Sequence, residues 1–305
     1  MRRAVLTITA LLVACAAADR IAILSHHNPK HWSDDACTST HAAMAACNLR
    51  VYKAAIAAAV ANNQYKNSSS GGGGGGNDMA ARADLILFPE AYGLTGPGVG
   101  SSEVYVSSVG AIPCDNASAA ALAPAQQSMS CAALRDNVTV VANFFVTLPN
   151  ASLRIVEVAY EAATGAVAAS YFKHHLFPNE KAEHISPGPF APTTFVAPRS
   201  GKRWGVIICY EGLYAQLHRD WSQLDALKAA GADGVLWSIG SWLPDKEVGR
   251  SIARHVGLPV LASEDGAAAR ALGADGGELP LSASTPLAVA NYTGDASVDV
   301  FEVLF

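Results

Sequence analysis

Three polar residues of this chain directly follow apolar segments, and their side chains could carry out covalent chemistry together. Cys209 comes after the run RWGVII, Glu90 after LILFP and Lys173 after SYF. A thiol can attack a carbonyl carbon, a carboxylate can take and return a proton, and an ammonium group can stabilise an oxyanion. Together, these groups could cleave an amide through a thioester intermediate.

The three apolar runs predict the elements that position these side chains. Each run is too short for a helix and is typical of a buried strand. Open α/β sheets carry their reacting groups at the carboxyl ends of such strands. Taken singly, a cysteine in an apolar run is more often a core residue, and a Glu or Lys past a strand is more often a solvated loop charge. Three such strand ends in one chain favour a catalytic site.

The sequence around these residues resembles the nitrilase superfamily of carbon–nitrogen hydrolases, whose catalytic set is Glu, Lys and Cys at three strand ends. The matching segments are Leu87-Phe88-Pro89-Glu90, Lys173 with Leu176, Pro178 and Glu180, and Ile208-Cys209-Tyr210-Glu211 followed by Gly231-Ala232-Asp233 and Ser241-Trp242. Within the superfamily, the chain is most similar to the biotinidase and vanin (pantetheinase) branch. The segments that point there are Ala111-Ile112-Pro113-Cys114, Pro124-Ala125-Gln126-Gln127, Ser130-Cys131-Ala132-Ala133 and Asp136-Asn137-Val138-Thr139-Val140-Val141-Ala142-Asn143.

The resemblance implies a role for each member of the site. Glu90 is expected to be the proton acceptor, Cys209 the nucleophile, Lys173 the oxyanion stabiliser and proton donor, and Glu180 a supporting carboxylate. Substrate contacts are expected from Tyr92, His175, Glu211 and Trp242. An activated Cys209 should react with iodoacetamide at a lower pH than an ordinary thiol does.

The implied function is hydrolysis of a linear amide C–N bond without a metal or organic cofactor. A pantetheine- or biocytin-like amide is the expected small-molecule substrate. Two alternatives stay open: another small-amide amidase or nitrilase of the superfamily, or a catalytically silent secreted binding protein with the same fold. Three intact polar groups converging in a crevice argue against the silent protein, because burying them is costly.

Length and composition fit this interpretation. Half of the 305 residues are apolar, which is enough for one large core in a single α/β domain. Only 15% are charged and the formal net charge is −5, so the chain lacks the basic surface that binds nucleic acid. His26, His27 and His31 have no partner motif with metal-ligand spacing, and we expect them at a pocket rim rather than in a metal site.

The N-terminal residues predict a secretory route. Residues 1–18 combine a basic start, an apolar segment and a run of small residues, as in a signal peptide cleaved before Asp19. The stretch Leu12-Val13-Ala14-Cys15 also fits a lipoprotein cleavage box, so lipidation of Cys15 stays open. Five Asn-X-Ser/Thr sequons favour a eukaryotic secreted glycoprotein, and they begin at Asn67, Asn116, Asn137, Asn150 and Asn291. No hydrophobic tail suggests a membrane anchor.

The five cysteines after the leader predict two disulfides and one free thiol. Cys37 lies close to Cys47 in sequence, and Cys114 lies close to Cys131. In an oxidising compartment these neighbours are the expected pairs, which leaves Cys209 as the free thiol.

Hydrophobic periodicity predicts helices over residues 40–62 and 128–136, a single helix over 213–230, and late strands over 287–291 and 297–305. Residues 62–78, rich in Ser and Gly, are expected to form a disordered insertion, and residues 99–127 an irregular loop covering the site. Alternating strands and helices indicate a layered α/β fold. The resemblance specifies a four-layer α-β-β-α sandwich over residues 19–305, without the second domain of biotinidases and vanins, and suggests a homodimer.

Overall fold

Two β-sheets form the centre of the computed structural model, which describes residues 19–25, 33, 37, 39–61, 83–90, 94–96, 101–240, 246–264, 268–293 and 295–303. The strands are β1 (Asp19–Ser25), β2 (Leu85–Leu87), β3 (Glu103–Val104), β4 (Thr139–Thr147), β5 (Leu153–Tyr160), β6 (Val167–Phe172), β7 (Thr194–Val196), β8 (Arg203–Ile208), β9 (Gly234–Ile239), β10 (Val260–Glu264), β11 (Arg270–Leu272), β12 (Leu281–Pro286) and β13 (Ser297–Val303). The helices are α1 (His41–Ala61), α2 (Ala119–Leu122), α3 (Pro124–Asp136), α4 (Pro178–Ala182), α5 (Tyr210–His218), α6 (Ser222–Ala229) and α7 (Lys246–Val256).

The first sheet has the strand order β12-β13-β1-β2-β4-β5-β6, with β3 beside β4, and the second has the order β11-β10-β9-β8-β7. Strands β1, β2 and β4 run parallel to one another, as do β8, β9 and β10. The parallel strands at the centre of each sheet have continuous apolar sequences, because other layers of the fold cover both of their faces.

Three apolar clusters between the layers hold the fold together. Tyr52 of α1 stacks on Phe88 at 4.4 Å between ring centroids, in the cluster between the outer helices and the first sheet. Val141 and Trp204 belong to the cluster between the two sheets. Trp237 packs in the cluster that joins the second sheet to α5, α6 and α7. The predicted four-layer α-β-β-α sandwich is therefore confirmed.

Two predicted elements differ from the observed ones in the second half of the chain. Residues 213–230 form α5 and α6 instead of one helix, because Arg219 adopts a left-handed conformation with φ 53° and Asp220 accepts the backbone N–H of Ser222 at 3.1 Å. Residues 287–291, predicted to be a strand, form none, and the strand in this part of the chain is β12, which ends at Pro286. Asn291 has φ 64°, which breaks extended structure there.

Residues 99–127 contain more regular structure than predicted. Within the part that the structure describes, they include β3, a 3₁₀ turn at Pro113–Asp115, α2 and the start of α3. Helix α3 begins at Pro124, four residues before the predicted start, because the Glu103 carboxylate accepts the backbone N–H groups of Ala125 at 2.6 Å and Gln126 at 3.1 Å. A carboxylate from a distant strand caps this helix, a signal that local sequence does not contain.

Helix α1 is long and apolar enough to cross a membrane by length and composition alone, over Ala42–Ala61. Core helices pass the same test. Val51, Tyr52, Ala55 and Ile56 are fully buried in the cluster against the first sheet, so packing accounts for the apolar character of α1.

Several predicted features lie outside the described residues. They are the leader 1–18 with Cys15, the insertion 62–78 with Asn67, the histidines His26, His27 and His31, and the substrate-contact candidates Tyr92 and Trp242.

Candidate active site

The chain segments that carry Glu90 and Cys209 meet at the carboxyl end of β9. Glu90 follows β2 of the first sheet, and Cys209 follows β8 of the second. The Glu90 backbone N–H donates to the Ile239 carbonyl oxygen at 3.3 Å, and the Cys209 N–H donates to that of Ser238 at 2.7 Å. The last two residues of one strand therefore bring a carboxylate and a thiol from different sheets to the same place.

Lys173, the first residue after β6, has its ammonium group between two carboxylates. Its Nζ donates to Glu90 Oε1 at 2.6 Å and to Glu180 Oε1 at 2.5 Å, and all three residues are buried. Burial alone lowers the pKa of Lys173, but Glu90, Cys209 and Glu180 together outweigh it and raise that pKa well above its usual value. Lys173 is therefore a charged ammonium throughout the physiological range.

Glu180 is held by the first turn of α4. Its second oxygen, Oε2, accepts the backbone N–H of Phe177 at 2.7 Å, and Pro178 starts the helix. Burial raises the pKa of Glu180 to about 7, against the lowering effect of Lys173. One carboxylate thus caps a helix and orients the lysine.

Cys209 occupies a sharp turn between β8 and α5. It has φ 43° and ψ −108°, a backbone conformation that side chains rarely adopt. Its carbonyl oxygen accepts the Trp237 Nε1–H at 2.9 Å. A Cβ added at Gly212 would lie 2.5 Å from the Trp237 ring, so only glycine permits this close approach of α5 to β9.

The Cys209 thiol is partly buried and is the free cysteine of the described residues. Burial, then the charge of Glu90 and a hydrogen bond to it, raise the pKa of Cys209 well above its usual value, while Lys173 lowers it less. The expectation that Cys209 ionises more readily than an ordinary thiol is therefore wrong. The reason is that burial and the negative charge of Glu90 together outweigh the positive charge of Lys173.

Glu211 joins the segment that carries Lys173 to the segment that carries Cys209. Its Oε1 accepts the backbone N–H of His174 at 2.8 Å, and its Oε2 accepts that of Ile208 at 2.7 Å. The Tyr171 hydroxyl donates to Oε1 at 2.5 Å, and the Glu211 side chain is buried. This geometry replaces the expected substrate contact with a positioning role, because both oxygens are occupied by protein donors.

His175 is half-buried beside the site. Its ring stacks on Tyr214 at 3.8 Å between centroids. Burial and the neighbouring His174 lower the pKa of His175, so its imidazole is neutral at pH 7. The expected contact between this ring and substrate stays a prediction.

The predicted disulfides are both present, Cys37–Cys47 and Cys114–Cys131. Within the described ranges, no group of three or more His, Cys, Asp or Glu side chains could hold a metal ion. A cavity of about 1080 Å³ lies at the edges of β11, β12 and β13, lined among others by Arg270, Asp299 and Phe301, and it contains none of the catalytic candidates.

Sequence reasoning missed the polar side chains that support the site from the sheets. Glu157 and Tyr171 on the first sheet, Ser238 on the second and Gln223 on α6 are all buried and hydrogen-bonded. The signal for Glu157 was present, as an acid in the middle of the apolar run LRIVEVAY. Tyr171 and Ser238 resemble ordinary strand residues and carry no such signal.

Comparison with known proteins places this architecture in a family. The sequence profile described as carbon-nitrogen hydrolase matches residues 28–227. The chain is similar in structure to an amidase from Nesterenkonia sp., with a TM-score of 0.59 and 19% identity over 95% of this chain and 93% of that one. A mutant of the amidase from Nesterenkonia sp. AN1 in complex with butyramide gives a TM-score of 0.60 and 18% identity over the same shares.

A third similar structure is a mutant of the Nesterenkonia sp. AN1 amidase with the acetamide moiety of fluoroacetamide added covalently at the active-site cysteine. It has a TM-score of 0.58 and 18% identity, over 95% of this chain and 93% of that one. No curated protein sequence matches significantly. At these identities the structural likeness shows the fold, whereas the profile covers well over half of the residues. The chain belongs to the carbon–nitrogen hydrolase family of the nitrilase superfamily.

Proposed function

We propose that this protein is a thiol amidohydrolase that cleaves a linear amide through a thioester on Cys209. The observation that carries the proposal is the Lys173 ammonium group, bound by both Glu90 and Glu180, at the end of β9 where the segments of Glu90 and the free thiol Cys209 meet. A nucleophile, a base and a fixed positive charge are the three groups that amide cleavage by a covalent route requires.

The first step forms the thioester. Because the thiol is neutral in the resting protein, Glu90 removes its proton as the sulfur attacks the amide carbonyl carbon. The C=O π electrons move to oxygen, and Lys173 and the backbone N–H of Tyr210 stabilise that oxyanion. One such donor is worth about 3 kcal/mol in the transition state. The C–N bond then breaks, and Glu90 gives its proton to the departing amine nitrogen.

The second step releases the acid. Glu90, again a carboxylate, takes a proton from a water molecule whose oxygen attacks the thioester carbon. The C–S bond breaks, and the sulfur regains its proton from Glu90. The products are a carboxylic acid and an amine, and the site returns to its starting state.

For the substrate we propose a pantetheine- or biocytin-like amide. Support comes from the segments similar to biotinidases and vanins, two of which surround the Cys114–Cys131 disulfide. The alternative is a small aliphatic amide, favoured by the similar amidase structure bound to butyramide.

We also propose that the protein is secreted and glycosylated. Two disulfides are typical of an oxidising compartment. Four of the five sequon asparagines are described, and all four are exposed, as glycan attachment requires; they are Asn116, Asn137, Asn150 and Asn291.

Intact-mass analysis tests the activity. Wild type and Cys209→Ala are incubated briefly with pantetheine, biocytin or butyramide, and the released amine is measured. We expect an acyl adduct or turnover with one of these amides that disappears in the variant, and the adduct mass names the acyl group. A wild-type protein that binds one of these amides without adduct or amine release would instead indicate a silent binding protein.

A further inference from the structure

Glu157 is a buried carboxylic acid outside the catalytic set, at the interface between the two sheets. It stands on β5, opposite Asn143 on β4 and Tyr171 on β6, and is only 2% exposed. The mechanism described above does not use it.

Both carboxyl oxygens of Glu157 have partners. Asn143 Nδ2 donates to Oε2 at 2.7 Å, and the Ser238 hydroxyl lies 2.8 Å from Oε1. The same hydroxyl lies 2.9 Å from the carbonyl oxygen of Phe88, two residues before Glu90. Ser238 therefore stands between the buried acid and the segment that carries the proposed base.

These contacts indicate where the proton lies. The Ser238 hydroxyl has one hydrogen, and a carbonyl oxygen can only accept. Both short contacts are hydrogen bonds only if Ser238 donates to Phe88 and accepts from Glu157, which then carries a proton on Oε1. An ionised Glu157 would take the Ser238 hydrogen for itself, so that the buried Phe88 carbonyl would lose its donor at a cost in free energy.

The surroundings of Glu157 favour the protonated form. Burial raises the pKa of Glu157, the contacts with Asn143 and Ser238 lower it, and the negative charges of Glu90 and Glu211 raise it; together they give a pKa of about 8. The other titratable groups near Glu157 on the first sheet are Tyr171 on the neighbouring strand and Lys173, whose positive charge is paired with Glu90 and Glu180.

We infer that Glu157 is a positioning residue: a neutral acid that donates a hydrogen bond to the Ser238 hydroxyl, which in turn donates to the Phe88 carbonyl and so fixes the segment that carries Glu90. This inference rests on the proposed role of Glu90 as the base. Ser238 also fixes the other partner, because its own carbonyl oxygen accepts the Cys209 N–H. One serine thus sets the position of base and nucleophile relative to each other.

Thermal unfolding of Glu157→Gln and wild type from pH 5 to 9 tests the neutral acid. The native pKa of Glu157 lies above its unfolded value, so wild type loses stability as pH rises from about 5 to 8. The glutamine keeps a neutral donor and has no proton to lose. We expect the Tm of the variant, relative to wild type, to rise across this window. A flat or falling difference would overturn the inference.

Turnover tests the positioning role. Ionisation of Glu157 should lower the kcat of wild type above pH 8. We expect Glu157→Gln to retain most of the activity and to show a smaller decrease in kcat above pH 8. Glu157→Leu should lower kcat by about tenfold to a hundredfold. An unchanged alkaline limb in Glu157→Gln, or full activity in a folded Glu157→Leu, would overturn it. The unfolding measurement needs no substrate. If the protein hydrolyses none of the amides, the proposed function is refuted. A pH-dependent Tm difference in that same protein would still support a neutral Glu157.

Discussion

Replacing Glu211 by alanine should loosen both segments that carry the proposed catalytic residues Lys173 and Cys209. The alanine removes the acceptor of two backbone N–H groups, a part-buried one of His174 and a buried one of Ile208. Each buried donor without a partner costs about 1 to 3 kcal/mol, so we expect the free energy of unfolding to fall by about 2 to 6 kcal/mol. That is a large part of the roughly 5 to 15 kcal/mol that stabilises a typical domain.

Glu211→Gln should also be destabilised although it has nearly the same shape. Whichever way its amide turns, the NH₂ group faces one of the two backbone donors, because His174 lies on the Oε1 side and Ile208 on the Oε2 side. One N–H therefore stays without an acceptor, and we expect a loss of about 1 to 3 kcal/mol.

Urea unfolding measures both losses, and kcat at saturating amide measures the effect on the site. Glu183→Ala is a matched control, since Glu183 is exposed just after α4 and surface substitutions usually stay within about 0.5 kcal/mol of wild type. The reasoning is refuted if Glu211→Ala unfolds at the same urea concentration as the control variant, because the carboxylate would then not hold the two segments together.

Further predictions concern the nucleophile, a disulfide and the turn after Cys209. Because burial and Glu90 raise the pKa of Cys209, iodoacetamide should alkylate this thiol more slowly at pH 7 than it alkylates an ordinary thiol. Alkylation should be faster in Glu90→Gln than in wild type. Mass spectrometry of samples quenched at successive times measures both rates, and a fast reaction in wild type would contradict the prediction. Replacing both Cys114 and Cys131 by alanine opens a loop with a sequence separation of 17 residues and should cost about 3 kcal/mol in urea unfolding, whereas no loss would argue against this bridge in the secreted protein. Gly212→Ala should lower kcat and Tm together, because its Cβ would lie 2.5 Å from a buried indole ring; an unchanged kcat would show that α5 can shift without moving the thiol.

The sequence predicted the parts of the fold that depend on short-range pattern. Continuous apolar runs located β2 and β8, since strands buried on both faces need no alternation. It failed where long-range contacts decide the structure. Glu103, about twenty residues away, caps α3, and β12 has a weak apolar pattern because much of it is exposed.

The candidate site divides in the same way. Glu90, Lys173 and Glu180 could be found because a charged group beside an apolar strand is conspicuous, and the structure brings them within hydrogen-bonding distance. The direction of the Cys209 pKa shift could not be predicted, since it depends on how deeply the folded chain buries the thiol and on how close it brings Glu90. The position of Glu211 was also unpredictable, because its partners come from β6, β8 and α6.

The meeting of two sheets at the end of β9 makes the catalytic geometry a property of the whole sandwich. Neither sheet alone sets the distance between Glu90 and Cys209, since each sheet supplies one of them. A slight slide of one sheet over the other would separate base from thiol while every strand stayed intact. Turnover would then be a more sensitive reporter than circular dichroism of the packing between the sheets, where Val141 and Trp204 lie, and the proposed activity would be lost well before the protein unfolds.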